Sequence, residues 1–222
     1  MTAGPGPSAQ VRQAAEEVLH LYQRLAVDRA HLLDGILAGR LPQAWAHYPD
    51  DDAHDRIHGY QWFYHSHSAA DRPGAAEHGH LHVFARRPAI RRGLDPAVER
   101  NWRGRTGGGK SRAATRHLFC VGLDAKGVPN SLFTVNSWVT GDMMASADGT
   151  MRLIDGLRLD TGHGGIDTLV MALARLCRDD LAGLMHMRDE VLTRRAAAGP
   201  GGFEDRNLEV LSEVRLDLDA RL

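Results

Sequence analysis

From Ser8 onward apolar residues recur at three- and four-residue steps: Val11, Ala14, Ala15, Val18, Leu19, Tyr22, Leu25 and Ala26. That period predicts an amphipathic helix with Ser8 as its N-cap. "AHLLDGILAG" extends the helical region to about residue 40. The period changes after Gly59. "YQWFYHSHS" and "EHGHLHVFAR" read as two antiparallel strands around a turn-forming "AADRPGAA". "RHLFCVGLDA" and "SLFTVNSWVTGD" read as a second hairpin, and "TMRLIDGLRLD" as a fifth strand. Helical spacing returns from Ile166 through Leu192 and stops at the "GPGG" of residues 199–202. Leu208, Val210, Val214, Leu216 and Leu218 alternate, as a terminal strand does, with a helix over 203–222 as the other reading.

The expected fold is therefore α+β: an antiparallel sheet of two hairpins and a further strand, flanked by N-terminal and C-terminal helices. One domain of 222 residues would hold a Gly/Pro-rich disordered arm (1–8), helices (9–40), the sheet core (57–160), a helical segment (165–198) and the terminal element (203–222). "HYPDDDAHD", His47 to Asp55, reads as a polar turn that could lend Asp52, His54 or Asp55 to a nearby site.

Composition narrows the class. A net charge of −1 argues against a nucleic-acid surface. No stretch approaches the roughly 18 apolar residues of a membrane span. No basic region followed by an apolar run marks a signal peptide. Two cysteines, Cys120 and Cys177, give no disulfide framework. A cytoplasmic protein with a small-molecule substrate is expected, its oligomeric state left open.

Candidate chemistry lies in the first hairpin. His65, His67, His78, His80 and His82 fall within 18 residues, out of thirteen histidines in the chain. Residues i and i+2 of a strand share a face, and directly opposed residues of an antiparallel pair point the same way. Pairing His67 with His78 sets His65 against His80; a register shifted by two sets His65 against His82. Either register gathers the imidazoles on one face and leaves Trp62, Tyr64, Leu81, Val83 and Ala85 for the core. Clustered neutral imidazoles are ligands for a transition metal, iron or copper, with zinc also accommodated. Glu77 has the wrong parity for that face and would join, as a ligand or catalytic group, only through a bulge or the strand end. The expected function is that of a metal-dependent enzyme, an oxidoreductase acting on a small polar or anionic substrate. A metal-binding protein without catalysis is a further reading of the same residues.

"GRTGGGKS", Gly104 to Ser111, matches a phosphate-binding loop by letters. It lacks a buried strand before it and room for a helix after it. Residues 100–116 read instead as a flexible basic loop, with Arg103, Arg105 and Lys110 as candidates to bind an anionic substrate. Asn136 and Trp138, same-face neighbours on a predicted strand, complete the substrate-binding candidates.

Two resemblances attach to these motifs. "HGHLHVFAR" is similar to the strand of histidine triad nucleotide hydrolases and transferases. That likeness implies a triad of His78, His80 and His82, with His80 as nucleophile toward a phosphate. The longer stretch from Tyr48 to Asp142, with its "YHSH", "HGHLHVF" and "NSWVTGD" strands, resembles an uncharacterised bacterial family and implies no activity.

Overall fold

The computed structural model describes residues 8–67, 77–108 and 114–222. The expected arm therefore lies outside the described residues, apart from Ser8. The Ser8 hydroxyl accepts from the Val11 amide at 3.3 Å and opens α1, Ala9–Asp28. A four-residue helix, α2 (Asp34–Leu37), leads to the sheet.

Six strands run in order of sequence, each antiparallel to its neighbour: β1 (Tyr48–Asp55), β2 (Tyr60–Ser66), β3 (Gly79–Arg86), β4 (Thr115–Leu123), β5 (Pro129–Val135) and β6 (Val210–Arg215). Between β3 and β4 lie α3 (Arg87–Gly93) and α4 (Pro96–Thr106). After β5 come α5 (Ser137–Thr140), α6 (Ala147–Asp155), α7 (Gly164–Leu176) and α8 (Arg178–Ala198). The α+β reading stands, with helices flanking an antiparallel sheet. The terminal segment is a strand, and the two predicted hairpins are β2–β3 and β4–β5.

One sheet face carries the main core. Trp62, Tyr64, Leu81, Val83, Val121 and Leu132 pack with Ala14 and Val18 of α1 and Leu169 and Leu173 of α7. Trp62 donates its indole N–H to the buried Asp167 carboxylate at 2.8 Å, tying β2 to α7. The period-2 pattern of β2 and β3 thus places its apolar set as expected.

Four expectations are corrected. "HYPDDDAHD" is an edge strand, not a turn. It pairs on one side only, and its register shifts between Tyr48 and Ala53, where Asp52 takes a left-handed φ of 52°. An edge strand with one wet side tolerates Pro49 and three aspartates, which hides it from any apolar alternation. "TMRLIDGLRLD" is mostly helix. Ser146 caps α6 by accepting from the Gly149 amide at 3.1 Å, and Ala147, Thr150, Met151 and Ile154 bury one helical stripe. "SLFTVNSWVTGD" leaves the sheet at Val135, and Asn136 caps α5. Finally, residues 100–106 are not a loop. The Asp95 side chain caps α4 from the Ala97 and Val98 amides, with Pro96 at the first helical position. A helix therefore runs into "GRTGGGKS", ending at Thr106, and strand β4 follows it, the reverse of a phosphate-binding loop.

Among the described residues no helix is long and apolar enough to cross a membrane.

Candidate metal centre

The face of the sheet away from the main core is where the histidines meet. Antiparallel pairing sets His65 opposite His80 and Ser66 opposite Gly79, the first of the two expected registers. The neighbouring cross-strand row runs Phe63, His82, Cys120, Phe133 across four strands. His65, His80, His82 and Cys120 are all buried, His82 and Cys120 fully.

His117 joins them through an irregularity. Strict alternation from Cys120 would send residue 117 to the opposite face. The register shifts between Val83 and Phe84, so Val83 faces Phe119 while Phe84 faces His117. The extra residue turns His117 back toward Cys120, whose Sγ lies 3.4 Å from His117 Nε2.

The nitrogen atoms converge closely. His80 Nε2 is 2.9 Å from His65 Nε2 and 2.9 Å from His82 Nε2. His80 Nδ1 is 3.1 Å from Glu77 Oε1, so the carboxylate accepts the Nδ1 proton and leaves the Nε2 lone pair facing its neighbours. On the far side of its ring, His82 Nδ1 is 3.1 Å from His117 Nε2 and 3.3 Å from Cys120 Sγ. Among the described residues, three groups have ligand atoms all within 4.8 Å of one another: His65, His80, His82; His82, His117, Cys120; and His67, Glu77, His80. The buried histidine clusters could hold a metal ion.

Burial keeps the rings neutral, which a metal ligand requires. It pushes His82 well below its ordinary value, and the neighbouring His80, His117 and His65 push the same way. It brings His117 down to about 3, with the Arg188 guanidinium adding to the shift.

Aromatic rings wall the cluster. The Phe63 ring centre lies 4.8 Å from that of His82, and Phe133 stands edge-on to His80 at 4.9 Å. His47 stacks on Phe63 at 3.8 Å and engages Asp52 at 3.0 Å. Trp45, 58% exposed, stands edge-on to His67 at 4.9 Å and forms the outer rim.

Of the histidines expected from sequence, four come together. His78 does not: residue 78 is a bend before β3 begins, and its exposed ring meets the Tyr64 hydroxyl at 3.1 Å. The row of three implied by the histidine triad likeness is thus broken at its first member. Glu77 enters from the strand end, as its parity requires, and touches His80 through the nitrogen that points away from His65 and His82. His117 and Cys120 were not read from the sequence. Neither belongs to a His-x-His run; Cys120 reaches this face by regular pairing with His82, and the bulge brings His117 to it.

The other candidates lie elsewhere. Asn136 is buried as a clamp, donating to the Gly202 and Leu208 carbonyls at 2.8 and 3.0 Å. Trp138 donates to Leu208 at 3.2 Å and has the Arg206 guanidinium 4.7 Å above its ring. They are helix cap and helix residue, not neighbours on a strand. Arg103 and Arg105 sit on α4, half-buried and exposed respectively. Lys110 lies outside the described residues. Asp55 points to the other side of β1, accepting from the Ile57, His58 and Asp160 amides, and His54 contacts Arg86.

No curated protein and no solved structure matches the chain. A family model does, over residues 12–216, and it takes in all six strands almost to the end of the chain. The chain belongs to the DUF6969 family, a domain of unknown function.

Proposed function

We propose that the protein is a metal-dependent enzyme whose ion is held by Nε2 of His65, His80 and His82. One observation carries the reading: His80 Nε2 stands 2.9 Å from two other ring nitrogens while its Nδ1 is engaged by Glu77. A single in-plane lone pair accepts one good hydrogen bond, not two. Three lone pairs around one cation have no such conflict. Two nitrogens bound at about 2.05 Å and at right angles would stand about 2.9 Å apart, the spacing seen here.

The protein's own groups have distinct parts. Glu77 fixes the tautomer and orientation of His80 and raises its basicity. The sheet holds the three rings on adjacent strands, so no loop ordering is needed on binding. Phe63 and Phe133 keep the surroundings apolar, which strengthens any electrostatic effect of the ion. An all-imidazole set accepts copper or iron in either oxidation state, and oxidation of a small polar or anionic substrate is the reaction class we assign. Zinc on the same ligands would instead supply a bound hydroxide for hydrolysis.

Elemental analysis of protein purified without a histidine tag tests this and names the metal. About one transition-metal ion per chain is expected at this group. His65→Ala and His80→Ala should each lose most of it with the circular dichroism unchanged. Full metal content in both variants would overturn the assignment.

A smaller effect is expected one strand away. A Cβ on Gly122 would fall 2.6 Å from Glu77 Oε2 and would also meet the Ser131 hydroxyl. Gly122→Ala should therefore displace Glu77 and weaken metal binding by about tenfold, at the low end for loss of a ligand's supporting partner. Chelator competition reads this directly, with Glu77→Gln as the reference variant. Unchanged affinity in both would show that Glu77 does not tune His80.

A further inference from the structure

His82 presents its second nitrogen to a group the first ion does not use. Its Nδ1, His117 Nε2 and Cys120 Sγ form a closed triangle with sides of 3.1, 3.3 and 3.4 Å. A triangle of this size is a poor hydrogen-bond network, because each donor would have to point between two acceptors some 60° apart. It is a good ligand set. Nitrogens at about 2.05 Å and a thiolate at about 2.3 Å from one point, at mutual angles of about 100°, would stand about 3.1 and 3.3 Å from each other. All three residues are buried, and all three come from the central strands β3 and β4.

We propose that His82, His117 and Cys120 form a second metal position, selective for a thiophilic ion, copper or zinc. A mixed imidazole and thiolate set is softer than three imidazoles, so the two groups differ in the ions they favour. The ring of His82 stands between them, Nε2 toward His65 and His80, Nδ1 toward His117 and Cys120. When only the first position is filled, the Nδ1 proton of His82 points into the triangle. Filling the second as well releases that proton and the Cys120 thiol proton to solvent.

The proposal rests on the triangle and not on the first ion, and cobalt(II) separates the two. Cobalt bound to a thiolate gives a charge-transfer absorption in the near ultraviolet that all-nitrogen cobalt lacks. Metal-free wild-type protein titrated with cobalt(II) should take up two ions per chain and develop that band. Cys120→Ser should take up one and show none; the change is nearly isosteric, and a melting curve checks its fold. His117→Gln gives a second route to the same loss. A His65→Ala/His80→Ala variant should lose the other ion and keep the band. Cobalt uptake by wild type without the band would overturn the second position and leave the first standing. A band that survives Cys120→Ser would trace to Cys177, the other cysteine, and overturn it equally. A band lost in the His65→Ala/His80→Ala variant would mean that the sulfur only borders the first position. Two ions and an intact band in that variant would instead sink the first position and keep the second.

Discussion

Protein loaded with a transition-metal ion at the proposed His65, His80, His82 position should melt about 5–10 °C above the chelator-treated protein at pH 7.5 when free ion exceeds the dissociation constant a hundredfold. An ion that binds only the folded chain stabilises it by RT ln(1 + [L]/Kd), about 2.7 kcal/mol at that excess. For a chain of 222 residues each kcal/mol moves the midpoint by about 2–4 °C. Binding to the folded state alone follows from the geometry. His65 and His80 are fifteen residues apart in sequence and opposed in the sheet, so the unfolded chain does not bring their Nε2 atoms together. The midpoint should keep rising with ion concentration, by about 1.4 kcal/mol of stability per tenfold. His80→Ala removes the atom common to both 2.9 Å contacts and should remove this ion's share of the gap, leaving only what the second position contributes. Equal melting curves for wild type with and without metal would count against any ion at this face.

The part of the centre that was legible in the sequence is the part with short spacing. Two His-x-His runs on segments that alternate leave little freedom, because a one-residue slip would move the imidazoles under the helices and take Leu81 and Val83 out of the main core. The shared face of the histidines follows from that constraint; that His65 stands opposite His80 and not His82 is seen only in the structure. What a pattern cannot supply is an interruption of the pattern. His117 reaches the face through a bulge in β4. Strict alternation from Cys120 would have placed it among the helix-facing residues. Glu77 has the wrong parity for a strand residue but sits before β3 begins, where alternation does not apply. His78 fails for the same reason, since a bend lets its ring turn to Tyr64.

The errors in the fold have a similar origin. Leu153, Leu157 and Leu159 are spaced evenly and suggested a strand, yet Ser146 and the stripe Ala147, Thr150, Met151, Ile154 carried a helical signal four residues earlier. Asp95 followed by Pro96 was an equally good helix start, masked by the run of arginines after it. Strand β1 had no signal to find. It contributes Tyr48, Ala53 and Asp55 to the interior and leaves the rest half-buried or exposed, so its composition is that of a turn. Local capping chemistry was readable; an edge strand specified by its partner was not.

Metal-free protein should also lose about 2 kcal/mol of stability, roughly 4–8 °C in melting temperature, between pH 7.5 and 5.5. Burial lowers the pKa of His82 well below its ordinary 6.5 and that of His117 to about 3. In the unfolded chain both return to 6.5. Above that value each is neutral in both states and contributes nothing to the pH dependence. Below it the unfolded chain binds protons that the folded chain refuses, so stability falls as pH falls, by about 1.4 kcal/mol per pH unit for each group. The fall continues until the folded value is reached, far below the range tested. The two rings together cost about 3 kcal/mol by pH 5.5. Asp142 works in the opposite direction. Burial raises its carboxyl to about 6, against the partial relief given by Arg116, while its ordinary value is 3.8. The folded state therefore takes up that proton first, and acidification through pH 6 returns about 1 kcal/mol. Asp55 does not enter this window. Burial disfavours its charge, but the amides and ring of His58 and the amides of Ile57 and Asp160 outweigh that and hold its pKa below 3.8, so its stabilising effect is lost only at lower pH. The histidines win by magnitude. Thermal melts in chelator at the two pH values read the net effect, and His117→Gln, neutral in both states, should shrink it by about 1.4 kcal/mol. A melting temperature that holds steady from pH 7.5 to 5.5 in wild type would mean that the folded cluster accepts protons there, against the burial of His82 and His117.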